Sequence, residues 1–201
     1  MKRTLVIVAA FVLLIGVLMA FAIATPAPIT IHVASPAAIP TPQLASVPTA
    51  TTNMVRWYTW DEAVALNAVT KKKLFIDVYT SWCGWCKQMD RTTFEEPTVA
   101  AYLNKNFYPV KLDAEMRDSI IFDNHVFRYV RQGNTGYNEL ASSLIDNKMS
   151  FPTTVFLSEN YNRVAICPGY MAAPEFTRIL RYVGEEYYKK MPWEEFQKGS
   201  N

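Results

Sequence analysis

The chain opens with an unbroken apolar stretch. Leu5 to Ala24 contains no charged residue, and twenty residues at about 1.5 Å each would cross roughly 30 Å, the thickness of a bilayer core. Lys2 and Arg3 precede the stretch, and positive charge keeps that end of a membrane segment in the cytoplasm. The pattern therefore predicts a signal peptide or signal anchor at residues 1–24, with the rest of the chain exported.

Whether this segment is retained stays open. Ala22-Ile23-Ala24 has the small-x-small pattern of a signal peptidase site, whereas the apolar stretch is longer than the usual core of a signal peptide. Residues 25–53 follow without a charged side chain and are rich in Pro, Ala and Thr. Such a segment cannot continue a helix and is typical of an extended linker.

Beyond residue 53 the pattern changes to short apolar strands and amphipathic helices. Thr59 and Glu62 form a capping box, and the helix that they begin is expected to end in Lys71-Lys72-Lys73. A strand–helix–strand connection of this size implies a parallel pair of strands. The predicted elements of this half are a helix from Thr59, a strand at Leu74–Tyr79, a helix after Cys86, a helix from Pro97 and a second central strand at Phe107–Asp113.

The second half of the domain is predicted as an insertion, a hairpin and a closing helix. Asp123-Asn124 suits the tight turn of a β-hairpin within an insertion at about 114–149. There, RQGNTG is predicted as loop and YNELASSLID as a short helix. A hairpin from TTVFLS and RVAIC and an amphipathic helix from Pro174 to Lys190 complete the pattern. This order predicts one α/β domain at 54–201, a small mixed sheet with helices on both faces.

Charge removes one class of partner. The formal net charge of the chain is +2, and Lys2 and Arg3 account for it, so the exported part is close to neutral. No basic patch indicates a nucleic-acid partner.

The candidate chemistry lies in the segment SWCGWCKQMD, which contains Cys83 and Cys86. Such a pair can belong to a zinc site, a structural disulfide or a redox couple. A structural zinc site needs four ligands. The third cysteine, Cys167, and the two histidines, His32 and His125, are scattered along the chain, so zinc could be held only between two chains.

The position of the pair favours the redox interpretation over a structural disulfide. A bond that closes so short a loop removes little chain entropy and would stabilise the fold poorly. The pair follows a predicted buried strand and begins a helix, where free N–H groups and the helix dipole favour a thiolate. The first cysteine is therefore expected to be the nucleophile.

The segments FIDVYTSWCGWCK and FPT, at Phe151 to Thr153, resemble the thioredoxin family. The resemblance extends over roughly residues 56–190 and is strongest to exported thioredoxin-like proteins and to the C-terminal domain of bacterial transmembrane thiol reductases. It implies a thioredoxin fold, a central mixed β-sheet flanked by helices, here with a β-hairpin insertion.

The resemblance also implies roles for individual residues. Cys83 would be the exposed attacking thiolate, and Cys86, buried one turn into the helix, would resolve the mixed disulfide. Asp77 would be a buried carboxylate with a raised pKa that exchanges a proton with Cys86. Lys111 matches the family's lysine partner of that aspartate.

A second set of residues would bind substrate. Pro152 matches the family's cis-proline, which would leave the backbone of Phe151 free to pair with an extended substrate strand. Trp82, Gly84 and Trp85 would line the groove around the cysteines. Trp85 stands where the best-known member of the family has proline, so the direction of electron flow stays open between reductant, oxidant and isomerase.

Two further residues have structural interpretations. Gly169 is expected to allow close approach of the backbone after the last strand. Cys167 is expected to be a buried strand residue, with a regulatory or resolving role as the alternative.

Together these inferences predict a thiol–disulfide oxidoreductase of the bacterial periplasm or cell envelope. Its partners would be cysteine-containing envelope proteins, an upstream thiol electron donor or acceptor and, if residues 5–24 are uncleaved, the membrane. The chemistry implies no metal and no organic cofactor. The alternatives are a non-catalytic thioredoxin-fold binding module that uses the cis-proline groove, and an interchain zinc clip.

Overall fold

The computed structural model describes residues 54–199. The predicted signal segment, 1–24, and linker, 25–53, lie outside the described residues. Between residues 54 and 199, no helix has both the length and the apolar character needed to cross a bilayer.

The described chain has helices and strands in both halves, with the short strands of the insertion between them. Their bounds, in chain order, are α1 Trp60–Val69, β1 Lys73–Tyr79, α2 Gly84–Met89, α3 Pro97–Asn106, β2 Phe107–Asp113, β3 Ile120–Phe122, β4 His125–Phe127, β5 Tyr129–Gln132, β6 Thr135–Asn138, α4 Glu139–Leu144, β7 Thr153–Leu157, β8 Arg163–Pro168, α5 Ala173–Gly184 and α6 Trp193–Gly199. A π-helical turn, Asp90–Phe94, continues α2, and a short 3-10 turn, Tyr187–Lys189, follows α5.

A four-stranded mixed sheet in the order β2–β1–β7–β8 lies at the centre. β1 and β2 are parallel, as predicted, while β7 is antiparallel to β1 and β8 is antiparallel to β7. β1 is buried on both faces, because its alternate side chains enter two different cores. Leu74 and Ile76 pack with Trp60 of α1, and Phe75 packs with Phe176 of α5. The sheet with helices on both faces is the expected thioredoxin fold.

β2 is an edge strand, and its prediction as a central strand was wrong. Pro109 lies in the middle of β2 and has no N–H to donate to a further strand. The free edge is bridged by Tyr58, whose N–H donates to the Pro109 carbonyl at 2.8 Å and whose carbonyl accepts from the Lys111 N–H at 3.2 Å.

Two other predicted boundaries need correction. The capping box at Thr59 is present, but α1 ends at Val69, and Lys73 is the first residue of β1. Lys73 is buried because Glu159 and Glu186 bind its ammonium group at 2.7 and 3.0 Å. The helix predicted to reach Lys190 ends at Gly184, since Glu186 adopts a left-handed conformation, φ 61°.

The insertion contains two hairpins rather than one. β3 pairs with β4 around Asp123-Asn124, as predicted, and β5 pairs with β6. RQGNTG was predicted as loop, but its ends belong to β5 and β6. Gly136 makes this pairing possible, because a Cβ there would lie 2.3 Å from the ring of Tyr129. α4 follows and adds Leu140 and Ala141 to the core shared with α1.

Candidate active site

The two neighbouring cysteines lie where β1 leads into α2. Cys83 is the N-cap residue of α2 and is disulfide-bonded to Cys86. The Cys86 N–H donates to the Cys83 Sγ at 3.0 Å. Because β1 is buried, its end is fixed in position. The first turn of α2 then directs the Cys86 N–H at the Cys83 sulfur, and this arrangement favours negative charge on that sulfur.

The disulfide is shielded, while the tryptophans beside it are not. Cys83 is 5% exposed and Cys86 is 2% exposed, whereas Trp82 and Trp85 are each 64% exposed. The expectation of an exposed Cys83 is therefore wrong for the disulfide-bonded form. The reason is that the Cys83 side chain folds back to cap α2 and is tied to a buried partner.

Asp77 is a buried acid in the middle of the sheet. It is 1% exposed and lies opposite Lys111 in the parallel register of β1 and β2. The Lys111 Nζ donates to Asp77 Oδ2 at 2.6 Å, while Asp77 Oδ1 is buried with no hydrogen-bond partner among the described residues. Burial raises the pKa of Asp77 to about 6, against the lowering effect of Lys111.

Lys111 binds a second carboxylate that sequence reasoning missed. Its Nζ also donates to Oδ1 of Asp90, the residue at which the π-helical turn begins. Its ammonium group lies 4.9 to 5.3 Å from the ring centres of Trp57, Tyr79 and Phe94. Burial lowers the pKa of Lys111, but the two carboxylates outweigh it and leave this pKa raised. The signal for Asp90 was available, since an acid four residues after Cys86 lies one helical turn further on.

The peptide bond between Phe151 and Pro152 is cis, as the resemblance implies. The Pro152 carbonyl accepts a hydrogen bond from the Gly169 N–H at 2.8 Å, which joins the start of β7 to the end of β8. Gly169 has φ +93°, and a Cβ there would meet no atom within 4 Å. Its expected role in close backbone approach is therefore wrong; the positive φ is what requires glycine.

Two aromatic pairs flank the disulfide. The Trp82 ring meets the Phe151 ring edge-on, with centroids 6.0 Å apart, and the Trp82 Nε1–H donates to Glu115 Oε2 at 3.0 Å. Trp85 packs against Tyr170 at 5.5 Å. The predicted groove residues thus form contacts with two residues that the sequence did not single out, Glu115 and Tyr170. Gly84 and Trp85 line an open groove together with Gln88 and Tyr170.

Cys167 lies in β8, where it pairs with Thr154 of β7. It is half-buried in β8 rather than fully buried, and it is a free thiol. Burial raises the pKa of Cys167 to about 11, which keeps it protonated at neutral pH. Within residues 54–199 no group of three or more His, Cys, Asp or Glu side chains is arranged to hold a metal ion.

Comparison with known proteins identifies relatives of part of the chain. Residues 43–198 match the model of the family Thioredox_DsbH, described as a protein of unknown function, DUF255. Spermatogenesis-associated protein 20 of Rattus norvegicus is 35% identical over 69 residues, which are 34% of this chain and 9% of that protein. Thiol:disulfide interchange protein DsbD of Vibrio vulnificus is 38% identical over 52 residues, which are 26% of this chain and 9% of that protein.

An uncharacterized protein of Caenorhabditis elegans is 36% identical over 69 residues, 34% of this chain and 10% of that protein. The chain therefore spans about a tenth of the length of these three relatives. Among solved structures, a DsbH oxidoreductase has a TM-score of 0.48 at 13% identity, covering 66% of this chain and 85% of that one. A thioredoxin from Thermus thermophilus has a TM-score of 0.49 at 23% identity, covering 64% and 86%.

Proposed function

This chain belongs to the Thioredox_DsbH family, DUF255, and we propose on that premise that it is a thiol–disulfide oxidoreductase that works through Cys83 and Cys86. The observation that carries the proposal is the disulfide at the start of α2, with the Cys86 N–H directed at the Cys83 sulfur. Similarity to a thiol:disulfide interchange protein, DsbD, over 52 residues supports it.

The proposed exchange needs only sulfur chemistry. In the reducing direction, the Cys83 thiolate attacks one sulfur of a substrate disulfide and expels the other sulfur as a thiolate. Cys86 then loses its proton and attacks Cys83, which releases the second substrate thiol and forms the Cys83–Cys86 disulfide. Two electrons pass to the substrate. The oxidising direction is the same sequence reversed.

Asp77 is proposed to accept the proton of Cys86 and to return it in the reverse direction. A carboxyl whose pKa lies near 6 can change its charge close to neutral pH, as a general base must. Lys111, held between Asp77 and Asp90, would keep the carboxylate form accessible despite its burial. No metal or organic cofactor enters these steps.

Trp82, Gly84, Trp85, Phe151 and Pro152 are proposed to receive the substrate. The exposed indoles of Trp82 and Trp85 offer apolar surface on either side of the disulfide. The backbone next to the cis-proline would pair with an extended segment of the substrate.

The proposed setting is the cell envelope. Residues 1–24 would direct export or hold the protein in the inner membrane, 25–53 would serve as linker, and 54–201 would be the redox domain. Substrates would then be cysteine-containing envelope proteins, and an upstream thiol protein would exchange electrons with Cys83 and Cys86. The apolar run at 5–24 supports this assignment.

The test is turnover of a model disulfide with three matched cysteine variants. We expect wild type and Cys167→Ser to catalyse thiol-dependent reduction, and Cys83→Ser to be inactive. Cys86→Ser should accumulate a covalent mixed disulfide, because nothing displaces the substrate from Cys83. If wild type shows no turnover and Cys86→Ser captures nothing, the chain is a binding module instead.

The reduction potential of the Cys83–Cys86 couple then decides the direction. A value near that of thioredoxin, about −270 mV, would identify a reductant, and one near −120 mV an oxidant.

A further inference from the structure

The insertion reaches the candidate active site through its first turn. β2 ends at Asp113, and the turn that follows carries Glu115, whose Oε2 accepts a hydrogen bond from the Trp82 Nε1–H at 3.0 Å. Trp82 directly precedes Cys83, and its ring meets that of Phe151, which precedes the cis-proline. Glu115 therefore touches the indole that links the cysteine segment to the cis-proline segment.

This turn is held by hydrogen bonds on three sides. The Glu115 N–H donates to Asp113 Oδ1 at 2.9 Å, so the aspartate closes the turn on its own backbone. The Ala114 N–H donates to the Tyr79 carbonyl at 2.8 Å, at the end of β1. The Ala114 carbonyl accepts from the Asn138 N–H at 2.7 Å. Ala114 is fully buried, so these backbone groups have no water to replace a lost partner.

Asn138 ties the turn to the rest of the insertion. It ends β6, is fully buried and is the N-cap residue of α4, accepting from the Leu140 N–H at 3.0 Å. Its side-chain amide donates to the Asp118 carbonyl at 3.1 Å. One side chain therefore joins the second hairpin, the start of α4 and the loop after Glu115.

We propose that Glu115 is a positioning residue that holds Trp82 beside Cys83, and that the insertion keeps Glu115 in place through Asn138. The indole of Trp82 is 64% exposed, so packing alone leaves it room to rotate. A hydrogen bond to a carboxylate restricts that rotation. The inference rests on the proposed function only for its kinetic consequence, since the contact itself can be measured without turnover.

The structural part of the test follows the indole N–H resonance of Trp82 by NMR. The chain has five tryptophans, and the resonance that disappears in Trp82→Phe is that of Trp82. Glu115→Ala should shift this resonance and reduce its protection from hydrogen exchange by about tenfold, whereas Glu115→Gln, which keeps an acceptor, should restore most of both. An unchanged resonance in Glu115→Ala would overturn the proposal.

The second pair of variants tests the insertion. Asn138→Asp keeps the cap of α4 but loses the donor to Asp118, and should move the Trp82 resonance. Asn134→Asp, the same change at an exposed turn of the insertion, should not. Equal effects of the two would overturn the role of Asn138. Circular dichroism and the melting temperature identify a variant that fails to fold.

The kinetic arm compares a peptide disulfide with a small-molecule disulfide. Glu115→Ala should raise KM for the peptide by about fivefold and keep kcat within about twofold of wild type. The KM and kcat for the small-molecule disulfide should not change. Glu115→Gln should restore the wild-type KM for the peptide. A displaced indole with unchanged peptide KM would overturn the positioning role. If wild type turns over neither substrate, the proposed function fails, while the NMR arm still decides the contact.

Discussion

At the scale of single residues, the burial of Asp77 carries an electrostatic cost. Its pKa of about 6 is raised from an ordinary 3.8 by burial, so the folded protein holds the proton more tightly than the unfolded chain. Stability therefore falls as pH rises from about 4 to about 6, and above that range the full cost of the buried charge is present. A pKa difference of about 2 corresponds to roughly 3 kcal/mol.

Asp77→Asn should remove this cost. With the Cys83–Cys86 disulfide intact in both proteins, the variant is expected to be more stable than wild type by up to about 3 kcal/mol at pH 7. Near pH 4 the two proteins should have nearly equal free energies of unfolding. Urea unfolding at both pH values measures the difference. A gap that stays the same at pH 4 and pH 7 would show that the carboxylate charge is not its source.

Asp90 affects this titration through its own charge. Its negative charge adds to the effect of burial on the pKa of Asp77. Asp90→Asn should therefore lower the pKa of Asp77 and reduce the stability lost between pH 4 and pH 6. Carbon-13 NMR of the Asp77 carboxyl follows the titration directly.

Glu95→Gln is the matched control, since it removes an acid at an exposed position next to the same π-helical turn. This variant should leave the pKa of Asp77 unchanged. A similar shift in both variants would mean that any acid in this region, rather than Asp90 in its position beside Lys111 and Asp77, sets the shift.

At the scale of elements, the pairing of β5 with β6 depends on one glycine. A Cβ at Gly136 would lie 2.3 Å from the Tyr129 ring and 2.6 Å from the Val130 carbonyl oxygen, which belongs to the backbone of the partner strand and cannot move freely. Gly136→Ala should therefore destabilise the domain by about 1–3 kcal/mol.

Hydrogen exchange of amides 129–138 should locate the loss in this hairpin. Thr135→Ala, at an exposed position in the same hairpin, should change stability by less than about 0.5 kcal/mol. Comparable effects of the two substitutions would show that the close contact at Gly136 is relieved at little cost.

Elements with strong local signals were predictable, and those decided by tertiary contacts were not. The capping box at Thr59 and the apolar run of β1 specify their elements within a few residues. The β5–β6 hairpin has polar and glycine residues where a strand prediction needs apolar ones, and only the packing of Tyr129 over Gly136 explains it. Lys73 was predicted to end a helix, because its partners, Glu159 and Glu186, are far away in sequence and could not be identified from it.

The same division applies to the candidate site. The redox pair of Cys83 and Cys86 and the acid in β1 could be predicted from the sequence, because β1 and α2 are consecutive. The position of Asp90 one helical turn after Cys86 could also be read, but its contact with Lys111 could not, because the two residues belong to elements that are not consecutive. The contact of Glu115 with Trp82 could not be predicted either, since it depends on the geometry of the insertion.

At the scale of the whole molecule, the described domain begins with residues that are bound to its body. Asn104 accepts from the Arg56 N–H and donates to the Met54 carbonyl, and Trp57 packs against Phe75. We therefore expect a fragment of residues 43–201, which retains the start of the family match, to keep the melting temperature of the full chain. Scanning calorimetry of both in the same detergent would test this.

Activity toward a soluble model disulfide should also be the same for the two, within about twofold. A fragment that melts much lower would show that residues 1–42 contribute to the stability of the domain, contrary to their proposed roles as export signal and linker.

The proline in β2 has a consequence for how these molecules behave when crowded. Unpaired sheet margins can recruit the backbone of a neighbouring chain and grow into aggregates. Here Pro109 has no backbone N–H, and Tyr58 is already hydrogen-bonded to the Pro109 carbonyl and to the Lys111 N–H. The middle of this edge is therefore protected from pairing with a strand of another molecule, so high protein concentration is not expected to promote association through it.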